Sequence, residues 1–151
     1  MSRLLLIIAG VAGGLLLIPP TTKVRPLPFY LPGPHVAVIG PEEPPTAFLA
    51  FCAREPRQCV PVAGYGSTDI ADLDQVNLMV NATIRPATDY ELYGKAEFWA
   101  LPTVAGDCED LVLLKRKLLI ERGWPSSALL VAVVKNRDGD GHAVLMARTA
   151  L

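Results

Sequence analysis

The sequence predicts a small α+β domain in which helices pack on an antiparallel hairpin, and three observations point to it. Apolar residues recur at helical spacing in separate segments between Thr46 and Arg122. The run Leu129–Val134 is continuous and Val-rich, which at six residues suits a buried strand better than a helix. Asn136-Arg137-Asp138-Gly139-Asp140-Gly141 then has hairpin-turn composition, and His142 to Arg148 reads as the return strand. With 51% hydrophobic and 19% charged residues over 151 positions, the chain has globular composition and room for one domain. A formal net charge of -1 leaves no basic stripe, so nucleic acid is not an expected partner.

Residues 1–19 are set apart as a signal peptide or N-terminal anchor. Arg3 precedes an uncharged run, Leu4 to Ile18, whose fifteen residues fall short of the ~20 that span a bilayer as a helix. The run therefore suits export, with a membrane tether through residues 4–18 if it is retained; no Ala-x-Ala site closes it, and a buried core helix is the plainer alternative. Residues 20–45 are rich in proline, from Pro20 through Pro26, Pro28, Pro32 and Pro34 to Pro41, Pro44 and Pro45. Proline removes backbone donors and favours extended chain, so this stretch reads as a linker. The expected location is the periplasm or another exported compartment, and the folded domain is expected over 46–151.

Thr46 to Arg54 places Phe48, Phe51 and Cys52 on one helical face behind Pro45. Cys52 and Cys59 can pair in an oxidising compartment if the helix ends between them, and Pro56 supplies that break. Such a pair leaves Cys108 free; three buried thiols are the alternative. Ser67 or Thr68 is expected to cap a second helix carrying Leu73, Val76, Val80 and Ile84, closed by Pro86. Asn77 and Asn81 on or near its apolar face read as polar core contacts or site residues. An irregular stretch with Tyr90, Tyr93 and Trp99 leads to a third helix from Asp107 to Arg122, stopped by Gly123 and Pro125.

Cys108 would stand in the first turn of that helix, where unpaired N–H groups and the positive dipole end favour thiolate. Asp107, Glu109 and Asp110 oppose this, because neighbouring negative charge raises a thiol pKa unless a cation offsets it. An imidazole within reach could take the proton. Of the two histidines, His35 lies in the Pro-rich linker, whereas His142 opens a strand that can pack against the Cys108 helix. His142 is the expected general base, with an ordinary strand-end histidine as the alternative.

Several segments in order resemble the bacterial transglutaminase-like cysteine proteinases, a family with periplasmic, calcium-dependent members. They are Phe51-Cys52 with Pro56 and Cys59, Val76-Asn77 and Val80-Asn81, Asp89-Tyr90, Tyr93-Gly94, and Phe98-Trp99 with Pro102. They continue through Gly106-Asp107-Cys108-Glu109-Asp110, Lys115, Gly123-Trp124-Pro125 and Gly141-His142-Ala143-Val144-Leu145. The resemblance implies a papain-like fold, a cysteine peptidase acting on a protein or peptide substrate, and Cys108 and His142 as its catalytic pair. It implies calcium at Asp107 and Glu109, whose hard oxygens suit that ion. Oxyanion donors are expected from the Cys108 backbone N–H, with Trp99 and Gln75 as side-chain candidates.

Two positions depart from the family pattern. An Asp on the strand after the histidine strand is expected to orient the imidazole, yet Ala143 to Leu151 holds no carboxylate or amide, so the domain is expected to lack its C-terminal end. Thr103 stands where the family often has an acidic residue. These departures keep two other function classes open: a non-catalytic exported module that binds peptide or calcium, and an acyl transferase of transglutaminase type. Asn136-x-Asp138-x-Asp140-Gly141 opens like an EF-hand loop, but its twelfth position is Ala147 and a strand follows, so turn chemistry is the better reading.

Overall fold

A computed structural model describes residues 43–66 and 70–149, all within the compact unit formed by residues 41–151. The expected export segment, most of the linker, His35, and the Ser67 and Thr68 caps lie outside the described residues. In chain order the principal elements are α1 (Thr46–Arg54), α2 (Ala71–Thr83), β1 (Arg85–Pro86), α3 (Asp89–Tyr93), β2 (Ala105–Gly106), α4 (Cys108–Glu121), β3 (Leu129–Lys135) and β4 (Gly141–Ala147). Short 3-10 turns cover Pro56–Gln58 and Ser126–Ala128. The mixed helix-and-sheet architecture is α+β, as the sequence predicts.

Helix α1 ends at Arg54, ahead of Pro56, and a Cys52–Cys59 disulfide ties it to the turn that follows. Helix α2 buries Val76 and Val80, with Ile84 just past its end, because the three recur at four-residue spacing on one face. The helix closes at Thr83, earlier than Pro86 would require. Pro86 instead belongs to β1, which pairs in parallel with β2 through Arg85↔Ala105 and Pro86↔Gly106. Asn77 and Asn81 are exposed and bond each other along the helix at 3.4 Å, so neither is a polar core contact.

Helix α3 lies in the stretch expected to be irregular. Thr88 and Glu91 form a reciprocal capping box at its start, and Gly94, at φ 65°, ends it in the left-handed conformation that glycine adopts without a Cβ penalty. Strands β3 and β4 form the predicted antiparallel hairpin, in register from Leu129↔Ala147 to Lys135↔Gly141. Asn136 closes its turn by accepting the N–H groups of Asp138 and Asp140, each at 2.9 Å. That is side-chain turn chemistry of the Asx kind.

Two hydrophobic clusters hold the unit together. Val76, Val80, Ile84, Leu119, Trp124 and Leu129 join α2, the later turns of α4 and the start of β3. Phe51, Trp99 and Leu113 join α1 to the middle of α4, with Phe48 and Val131 packed against them. Helix α4 is shared by both. Its position is therefore fixed by packing on two sides, and with it the position of its first residue.

Candidate active site

Cys108 is the first residue of α4, with Asp107 as N-cap. The Asp107 carboxylate does not cap its own helix. Its Oδ2 accepts the backbone N–H of Asp89, the first residue of α3, at 3.2 Å. Two helix starts therefore converge on one carboxylate. Asp89 is 2% exposed and its Oδ2 accepts the N–H of Phe98. Asp110 is fully buried, and its Oδ1 accepts the N–H of Ala100 at 2.7 Å. These two buried carboxylates pin the 98–100 segment to the starts of α3 and α4. Gly106 is obligatory beside them, since a Cβ there would stand 2.8 Å from Asp110 Oδ2.

Carboxylate oxygens of Asp89, Asp107 and Glu109 lie within 4.8 Å of one another. Asp89 Oδ1, Asp107 Oδ1 and Asp110 Oδ2 are buried without a hydrogen-bond partner among the described residues. Buried polar oxygens ordinarily find a donor, so the orphaned oxygens of Asp89 and Asp107 within the group, with that of Asp110 nearby, have room for a cation or a proton. Burial, followed by the negative charge of Glu109 and Asp89, pushes Asp107 from 3.8 up to about 6. Burial likewise lifts Asp110 to about 7, against the bond from Ala100.

The Cys108 thiol faces this cluster. Its Sγ lies 3.1 Å from Glu109 Oε2 and accepts the backbone N–H of Ala143 at 3.4 Å. Burial, helped by Glu109 and Asp107, raises the thiol above its ordinary value, while the Ala143 N–H opposes the rise. Burial together with the acidic flanks thus outweighs the Ala143 N–H, and the carboxylates act in the direction that their charge implies in the sequence.

His142 is exposed on β4, paired across the hairpin with Val134, and precedes the residue whose N–H reaches Sγ. Cys108 and His142 are thus brought to the same junction of α4 and β4, but no hydrogen bond joins them among the described residues. Trp99 is buried against Phe48, Phe51 and Leu113, with its indole N–H donated to Glu97 at 3.1 Å. Gln75 is exposed on α2, 3.5 Å from Arg122. Neither side chain is turned to the thiol by these contacts. Thr103 is exposed. Asp89 is the residue that sequence reasoning missed. The Thr88-x-x-Glu91 capping box could have located α3, but nothing local marks Asp89 as a neighbour of Asp107, eighteen positions on.

No curated protein matches the chain. The family model described as bacterial transglutaminase-like cysteine proteinase matches residues 38–151, well over half the chain, and spans the whole of the site described above. A thiol at a helix start, facing a strand and framed by carboxylates, thus sits within a chain that belongs to the bacterial transglutaminase-like cysteine proteinases.

Proposed function

We propose that the chain is an exported cysteine peptidase-type thiol hydrolase of papain-like fold that acts on a protein substrate through Cys108 and His142. The observation that carries this reading is the Ala143 N–H on Cys108 Sγ, because it sets the nucleophile beside the strand residue next to His142. In the reaction His142 takes the thiol proton and the sulfur attacks the substrate carbonyl carbon. The first N–H groups of α4, left without partners inside the helix, are donors for the oxyanion, starting with that of Cys108. Protonated His142 then returns its proton to the leaving amine, and water releases the acyl group from sulfur. The Cys52–Cys59 disulfide supports an oxidising, exported location. Among the described residues no helix is long and apolar enough to cross a membrane.

Calcium fits the acidic cluster, since hard oxygens with orphaned lone pairs are what it selects. Asp107 and Glu109 would hold it, joined by Asp89. Bound there it supplies positive charge beside the thiol. Asp89, Asp107 and Glu109 orient their oxygens for it through α3 and α4, and Asp110 braces the neighbouring 100–106 segment.

A second reading, a non-catalytic calcium- or peptide-binding module, is favoured by the exposed His142 and the raised thiol. One experiment separates the two. Iodoacetamide labelling of Cys108 at neutral pH is measured with and without calcium, in the parent chain and in His142→Ala. The hydrolase reading expects calcium to accelerate labelling and the substitution to slow it at least tenfold. Equal, slow labelling of both chains under both conditions would sink it and leave the binding module.

A further inference from the structure

A cavity among the described residues lies away from the thiol. It measures about 650 Å³, within the range of small-molecule sites, and neither Cys108 nor His142 lines it. Its walls are Phe48, Trp99 and consecutive residues of β3 from Leu129 to Val133, with Arg116 among its lining. Five strand residues extend over ~13 Å. The cavity is therefore elongated along an apolar strand, and its charged lining is the buried Arg116 and the solvent-exposed Glu43.

That cation is unusual. Arg116 is 8% exposed, yet no carboxylate pairs with it among the described residues. Its Nε donates to Leu129 O at 3.1 Å, Nη1 to Gln58 O at 2.5 Å and Nη2 to Ser126 O at 3.3 Å. A guanidinium has five N–H donors, so these bonds leave two without an acceptor among the described residues. Three neutral carbonyls orient the group but do not neutralise it. Burial alone pulls Arg116 below its ordinary value, with no negative group acting to restore it. Buried charges are ordinarily paired, so the missing partner is an anion.

We propose that this cavity binds a medium-chain carboxylate, its head on Arg116 and its acyl tail along β3, over the wall that Phe48 and Trp99 form together. A guanidinium fork matches a carboxylate in two-point geometry, whereas an alcohol head would leave the charge uncompensated. Arg116 lies eight residues along α4 from Cys108, or ~12 Å of helix, so the ligand occupies a site separate from the nucleophile. The proposal stands independently of the proposed hydrolase activity.

The test is calorimetric titration of the full chain at pH 7.5 with decanoate and, separately, decanol, both below micelle-forming concentrations. Saturable one-to-one binding of decanoate, at least tenfold tighter than decanol, is expected. Ala132→Phe, which fills the cavity from β3 without touching Arg116, is expected to weaken decanoate at least tenfold. Arg116→Gln, if its circular dichroism is that of the parent, is expected to bind the two ligands equally. Should Arg116→Gln not fold, the decanol comparison and Ala132→Phe decide alone. Equal binding of decanol and decanoate by the parent, undiminished binding by Ala132→Phe, or no saturable binding would each overturn the proposal.

Discussion

The two ends of α4 are built on opposite rules. From Lys117 to Glu121 the helix is conventionally satisfied: Leu119 is sealed against Val76, Val80 and Trp124, and Lys117 pairs with Glu121 one turn on. From Asp107 to Asp110 the same helix gathers buried carboxylates beside a thiol whose proton they hold in place. The later turns supply stability, and the first turn consumes some of it to keep charge where water cannot reach. Departures from good packing rules that persist in a folded chain concentrate at functional sites, and on α4 the buried carboxylates are confined to the first turn.

The contrast can be broken from the stable end first. Leu119→Ala should cost about 2–5 kcal/mol, by lost burial and the cavity left behind. Denaturant unfolding measures that loss, and the affinity for calcium should stay within threefold of the parent if the two ends act independently.

The acidic end is sharpened by its ligand. Calcium at a hundred times its dissociation constant should stabilise the fold by about 2.7 kcal/mol. Asp89→Asn keeps an acceptor for the Phe98 N–H but removes one charge, and should abolish most of that gain. Thermal melts with and without calcium give the answer; an unchanged gain in the variant would remove Asp89 from the ligand set.

The same carboxylates set a pH dependence of smaller size. Folding raises Asp107 to about 6 and Asp110 to about 7, from 3.8, so the folded state holds these protons more tightly than the unfolded chain. Their contribution is fully present below about pH 4 and is lost as pH rises through the folded values. Metal-free protein should therefore be more stable at pH 5 than at pH 8 by roughly 1–2 kcal/mol, read from melts in chelator. Calcium should reverse the trend, because it favours the ionised carboxylates. The smallest effect belongs to the surface pair Arg122–Asp72, 2.9 Å apart: Asp72→Asn should change stability by under about 1 kcal/mol.

How much of this was legible depended on whether the signal was local. Helix α1 coincides with its predicted span because Pro45 and Pro56 bracket it, and α4, β3 and β4 fall within one residue of theirs. The Cys52–Cys59 pairing follows from the same proline break. The short β1–β2 ladder was not legible, since a two-residue parallel pairing between Arg85 and Gly106 has no periodicity to read. At the candidate site, Cys108 stands at the helix start where the sequence put it and His142 on the predicted return strand, whereas a calcium role for Asp107 and Glu109 came only from the family resemblance. Asp89 and the burial of Trp99 were not legible, because both are set by how α1, α3 and α4 meet in space. Pro86 misled in a simple way. It disfavours helix at the position before it, but the chain had already left the helix at Thr83 to reach β2.

The hairpin register carries a consequence for how Cys108 and His142, the proposed nucleophile and base, are aligned. A strand shifted by one position turns every side chain to the opposite face. In the ladder from Leu129↔Ala147 to Lys135↔Gly141, such a slip would exchange the places of Ala143 and His142 relative to Cys108. The Asn136 turn is thus a gauge block for the active site: its length sets which residue of β4 meets the sulfur. A single-residue insertion between Asn136 and Asp140 would therefore change the proposed active site from a loop that supplies none of its proposed catalytic residues.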